Sequence, residues 1–277
     1  AGCAPEVPKQ LASGFDMSKD SLAFANFATG FDDSTMDTEL MQRMFGDVAC
    51  QPGSSPCELT PGARAFVAKA NKSMASGRCE GFAVISQLFE ADKIHPVDFG
   101  GATARDLDIV DNEPLQREIA YWFSTQLVPA VSTKKTKAYM AKDIMPVLAE
   151  VLDPKATERV RIGMVRKKGK TISGGHALTP ISYSVDPKVE GLYWLRVYDN
   201  NNPDAERQIK IDTKNNRWEF EAAENPEQKS RLYYGDDSND NPLYLAPVFD
   251  RLGQLPCPFC DGSSENTVTS SGGARIS

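Results

Sequence analysis

Apolar positions along the chain follow two rhythms. Up to about residue 153 they recur every three or four positions, and from Val160 onward every second one. In the first part, Thr60-Pro61 pairs an N-cap residue with a proline suited to the first helical position. Ala63, Phe66, Val67, Ala70 and Met74 then fall on one helical face, and Gly77 ends the run. A shorter helix is expected after Ser34-Thr35-Met36-Asp37, burying Leu40, Met41, Met44 and Phe45 before Gly46 stops it. Another should begin around Cys79, with Phe82, Ile85, Leu88 and Phe89 on one face. Asn112-Glu113-Pro114 opens a further one carrying Leu115, Ile119, Trp122, Phe123 and Leu127. A last helix over Ile144 to Leu152 places Pro146 in its first turn, where proline is tolerated.

Beyond Asp153-Pro154, the alternation of Val160, Ile162 and Met164 with charged residues predicts a strand. Gly169 to Gly175 reads as a flexible turn, and 176–185, 192–199, 208–212 and 217–221 as successive strands. Asn215-Asn216 fits a tight hairpin turn. Helices followed by an antiparallel meander make an α+β chain with segregated halves. The reading divides it into an N-terminal leader with a cysteine loop (1–59), a main domain (60–260, helical over 60–153 and β over 158–260), and a flexible Ser/Gly/Thr-rich tail (261–277).

The 277 residues are 40% hydrophobic and 25% charged, which places the chain among globular proteins. A net charge of −7 without a basic block argues against nucleic acid as a partner. No apolar run approaches the ~18 residues of a transmembrane helix. The two histidines, His95 and His176, form no HExxH motif, and no metal or other cofactor is expected. Six cysteines are more informative. Cys50 and Cys57 bracket the turn-rich Gln51-Pro52-Gly53-Ser54-Ser55-Pro56, and Cys257-Pro258-Phe259-Cys260 holds a second close pair. Both are expected to be disulfides, which implies an oxidising location: extracellular, cell-surface or periplasmic. Ala1-Gly2-Cys3 resembles the end of a bacterial lipoprotein cleavage box, making Cys3 a candidate for lipid attachment. Three other uses of these residues are weaker. A redox CxxC normally opens a helix in a βαβ unit, a zinc ribbon needs better-spaced pairs, and the acidic run 235–241 lacks the glycine and glutamate of a calcium loop.

Cys79 lies in Ser76-Gly77-Arg78-Cys79-Glu80-Gly81-Phe82, between a helix stop and a helix start. Unpaired N–H groups and the positive end of the helix dipole there favour a thiolate, and the flanking glycines let a substrate backbone approach closely. His176 follows Ser173-Gly174-Gly175, and the glycine pair leaves room for a ligand beside it; His95, in Ile94-His95-Pro96, reads as a surface residue. In Tyr198-Asp199-Asn200-Asn201-Asn202-Pro203, strand alternation puts Asp199 on the apolar face with Leu195 and Val197, and Asn200 on the other. A half-buried carboxylate needs a partner, and an imidazole is the obvious one; a solvated Asp/Asn turn is the plainer alternative.

The order of Gly77-Arg78-Cys79-Glu80-Gly81-Phe82, then Gly175-His176-Ala177, then Tyr198-Asp199-Asn200 resembles the papain-like cysteine peptidase superfamily, over roughly residues 60–221. The resemblance implies a helical lobe carrying Cys79 as nucleophile and a β lobe carrying His176, with Asp199 or Asn200 orienting it. It implies a peptide or protein substrate, and either hydrolysis or a related acyl transfer. The chain departs from the family pattern in the ambiguity of that orienter and in two respects that bear on catalysis. Glu80 replaces the aromatic residue after the nucleophile, and its charge opposes a thiolate unless it faces solvent or a cation such as Arg78. Ser73 stands where the oxyanion-hole glutamine belongs, so Asn71, Ser73 or the Cys79 N–H supplies that donor, or nothing does. These departures equally fit a second expectation, an inactive papain-like module for binding or surface assembly, with Tyr233, Tyr234 and Tyr244 as exposed contacts.

Overall fold

The computed structural model describes residues 7–260 apart from Asp33 and Lys170. Cys3 and the tail 261–277 lie outside the described residues.

The helices begin where the sequence puts their caps. Asp37 accepts from the Leu40 N–H at 2.9 Å and opens α1 (Thr38–Phe45). Thr60 accepts from the Ala63 N–H at 3.2 Å and opens α2 (Pro61–Met74). After Gly77 and Arg78 comes α3 (Cys79–Glu90), and Asn112 opens α4 (Glu113–Thr125). A short turn, α5 (Pro129–Ser132), precedes α6 (Ala141–Val151). Because α6 starts at Ala141, Pro146 sits in its interior, not in its first turn. The start was hidden because its hydrogen-bond acceptor is remote: Asn216 Oδ1 accepts from the Lys142 N–H at 3.1 Å across 74 positions. Burial of Ile144, Met145 and Leu148 against the sheet offsets the backbone bond the proline forgoes.

The sheet contains β1 (Gln10–Ala12), β2 (Lys137–Tyr139), β3 (Val160–Lys168), β4 (Thr171–Val185), β5 (Leu192–Tyr198), β6 (Arg207–Asp212), β7 (Arg217–Ala222), β8 (Arg231–Gly235) and β9 (Leu243–Pro247). Its order is β2-β9-β3-β4-β5-β6-β7-β8, with antiparallel neighbours, and β1 pairs with β4. The chain thus meanders from β3 to β8, and β9 returns to pair with β3. The stretch expected as a flexible turn is mostly strand. Thr171 already pairs with Lys168 and Gly175 with Val165, so His176 sits inside β4 opposite Met164. Glycine content suggested a turn there, but ladder hydrogen bonds to β3 hold the segment extended.

Two cores result. Residues of α1 to α4 form one, and α6 against the sheet forms the other. The segment before Thr60, read as a leader, contributes to both halves: Leu22, Phe27 and Met36 are buried in the helical core, while β1 joins the sheet. The central helix, α3, is buried from Cys79 to Phe89 on all sides, because the other helices cover one face and β4 the other. Small residues bring α3 close to that strand. Cys79, Ala83 and Ala177 form their own buried cluster, and Ser86 Oγ lies 3.0 Å from Thr179 Oγ1.

Both expected disulfides are formed, with Cα–Cα separations of 5.3 Å for Cys50–Cys57 and 5.6 Å for Cys257–Cys260. The Phe259 ring packs on Phe45 and Phe66, fastening the second disulfide loop to the helical core. A surface groove of about 900 Å³ runs between the two disulfide loops, and neither Cys79 nor His176 lines it.

Candidate active site

Each group of the site is placed by a different element. Cys79 is the first residue of α3, whose start has no side-chain cap. His176 lies on β4, and Asp199 immediately follows β5. These strands are antiparallel neighbours, which brings His176 and Asp199 together across 23 positions. His176 Nε2 stands 2.7 Å from Asp199 Oδ1, and both side chains are at most 1% exposed.

Burial alone disfavours a charged imidazole, but the Asp199 carboxylate, hydrogen bonding with it, and the Cys79 sulfur together push His176 up to about 10. Nδ1, the second ring nitrogen, is buried. Asp199 is held below the ordinary carboxylate range. Burial opposes this, but the His176 charge, the His176 hydrogen bond, the Asn202 amide and the Asn201 N–H outweigh it. The Asn202 amide donates to Asp199 Oδ2 at 3.0 Å, so both carboxylate oxygens are engaged.

Asn200 takes a different position. Its Nδ2 donates to the carbonyls of Cys79 (3.2 Å) and Ala177 (2.9 Å). It therefore ties the start of α3 to β4 and leaves the imidazole to Asp199. The two oxyanion candidates are engaged with backbone elsewhere. The Asn71 amide is engaged with the backbone of Met36, accepting at 2.7 Å and donating at 3.1 Å. The Ser73 hydroxyl donates back to the Lys69 carbonyl at 2.9 Å.

Glu80 points neither to solvent nor to Arg78. It is fully buried, and its Oε1 accepts from Arg161 Nε at 2.8 Å and Arg251 Nη2 at 2.7 Å. Despite the burial that works against its charge, these two guanidinium groups hold its carboxyl below its usual range. Two cations around one carboxylate more than balance the charge of the residue that follows Cys79. Arg78 instead donates to the carbonyls of Phe27, Ala28, Ser34 and Met74, and burial lowers it to about 10.

One group was missed from the sequence. Asn26 accepts from the Arg78 N–H at 2.7 Å through Oδ1, while its Nδ2 donates to Asn201 Oδ1 (3.0 Å) and the Glu224 carbonyl (3.1 Å). It thereby joins the turn before Cys79 to the segment after β5 that carries Asp199. An asparagine in a segment without periodicity gave no local signal. Tyr233 is also buried, which pushes its phenol up to about 12 with the nearby Glu224 charge adding to the effect. Of the tyrosines expected as exposed contacts, Tyr234 is exposed, Tyr244 is half-buried and Tyr233 is buried.

His95 pairs at the surface with Asp92, at 2.9 Å. In the acidic run 235–241, Asp236 accepts from the Ser238 N–H and hydroxyl and faces Arg217. Among the described residues no cluster of His, Cys, Asp and Glu is arranged to hold a metal ion, and no helix is long and apolar enough to cross a membrane. Compared with known proteins, the chain matches no family model, no curated protein and no solved structure.

Proposed function

We propose that this chain is a cysteine-dependent peptidase or acyl transferase of papain-like type, acting on a peptide or protein. The observation that carries the reading is the meeting of Cys79, His176 and Asp199 at the contact of α3 with the sheet. A thiol at a helix start, beside an imidazole oriented by a buried carboxylate, is the arrangement nucleophilic acyl transfer uses. Cys79 Sγ attacks the acyl carbon as a thiolate, and the carbonyl oxygen becomes an oxyanion facing the N–H groups at the start of α3. The His176 imidazolium gives its proton to the leaving amine as the C–N bond breaks, leaving a thioester on Cys79. His176 then takes a proton from water, which attacks the thioester and releases the acid and the thiolate. A competing amine in place of water gives transfer instead. The two disulfides support work in an oxidising, extracytoplasmic setting.

Alkylation tests the reading. Iodoacetamide near pH 6 should modify Cys79 in the native chain, mapped by mass spectrometry, and His176→Ala should slow that modification by about tenfold or more. An unchanged rate in His176→Ala would mean that no thiolate–imidazolium pair operates. The complete burial of Cys79 favours one alternative, an inactive papain-like binding module. In that case a simple acyl donor such as p-nitrophenyl acetate would leave Cys79 unacylated in every variant.

A further inference from the structure

We infer that the connection between β7 and β8, residues 223–230, is an occluding strap that closes the Cys79 site and must lift before an acyl substrate can enter. The inference rests on the proposed reading of that site and concerns its control.

Cys79 and His176 are both 0% exposed, so a polypeptide cannot reach the sulfur in this conformation. Glu224 covers the gap between them. Its carbonyl lies against Gly77, two residues before Cys79, where an added Cβ would be 2.9 Å away. Its carboxylate lies against Gly174, two residues before His176 on the same side of β4, where an added Cβ would overlap Oε1. The glycines that the sequence suggested as room for a ligand therefore make room for Glu224 of the chain itself.

The strap is held by side-chain amides. Asn201 donates to the Ala223 carbonyl at 2.8 Å, Asn26 to the Glu224 carbonyl at 3.1 Å, and Asn225 to the Ser76 carbonyl at 2.8 Å. Asn225 Oδ1 also accepts from the Glu227 N–H at 3.1 Å, folding the strap into its own turn. Beyond that anchor, residues 226–230 are all exposed. The contact is thus a few polar bonds and little apolar burial, the composition of a segment that opens locally without unfolding the domain.

The strap can be removed without disturbing its strands. Ala222 pairs directly with Arg231, so a two-residue Asn-Gly turn in place of 223–230 closes the same hairpin. The test measures the iodoacetamide labelling rate of Cys79 in the full chain, by peptide mapping. Asn225→Ala and the shortened hairpin should each speed labelling by about tenfold or more over the parent. Bulky maleimides should gain more than iodoacetamide, because the strap limits size. Wild-type rates in both variants, with β4 and β5 amides still protected from hydrogen exchange, would overturn the strap. Should the shortened chain lose that protection, Asn225→Ala alone decides, since it removes one anchor. The two proposals separate cleanly. If labelling accelerates but is indifferent to His176→Ala, the strap stands and the catalytic reading falls. If His176→Ala slows labelling but neither strap variant changes it, the reverse holds.

Discussion

Glu80, which follows Cys79 in the chain, shares a buried ion pair with Arg251, 171 positions later, at 2.7 Å. Arg161 completes the cluster from β3, so a single carboxylate joins α3, the sheet and the segment after β9. A charged residue after the candidate nucleophile thus serves as a fastening, and its own charge is more than balanced.

Breaking that cluster should be costly. Glu80→Ala leaves two guanidinium groups without their shared counter-charge in a site closed to water. The expected loss is about 3–5 kcal/mol of unfolding free energy, measured by denaturant titration. Arg161 also donates to the Tyr244 carbonyl, so Arg161→Lys, with its different geometry, should fall between parent and Glu80→Ala.

Asp199 and Asn200 should separate in their effects. Asp199→Ala removes the carboxylate that pairs with His176, and burial should then bring its pKa down from about 10. NMR titration of the imidazole reads that shift directly, and acylation of Cys79 should fall on the order of 10³-fold. Asn200→Ala leaves the pair intact but strips a donor from two buried carbonyls. It should cost about 2 kcal/mol of stability and leave the His176 titration in place.

The pH dependence of stability has a definite sign on each side. The folded pKa of His176 is raised above its ordinary value of 6.5, so its contribution is complete below that pH and disappears as pH rises through about 10. The folded pKa of Asp199 is lowered from 3.8, so its contribution is present above that pH and disappears as pH falls through the lowered value. Unfolding free energy plotted against pH should therefore be flat between about 3.8 and 6.5, decline through neutrality toward about 10, and fall again on the acid side. His176→Ala should flatten the alkaline arm.

Reduction should loosen the disulfide end before the site. Opening Cys50–Cys57 returns about 2.5 kcal/mol of chain entropy to the unfolded state, on the loop-closure model. Freeing Cys257–Cys260 removes a constraint from Phe259 and its packing on Phe45 and Phe66. Thermal melts with and without reductant should show a lower midpoint, with a comparable loss in Phe259→Ala under oxidising conditions.

Local physics made much of this molecule readable from its sequence. Asp37, Thr60 and Asn112 start their helices because each needs only an N–H three residues ahead. The two disulfides join cysteines within one short turn each, and strand alternation put Asp199 on the face it occupies. Tertiary structure decided what depends on groups far apart in the chain. Asn216 starts α6 from 74 positions away, and Arg251 neutralises Glu80 from 171 away. Asn26, from a segment with no rhythm of its own, binds the turn before Cys79. The glycines beside Cys79 and His176 showed where space would be left, but packing determined that Glu224 fills it. Periodicity and capping act over one or two turns, whereas partners for buried charges and cover for a cleft exist only once the whole chain has folded.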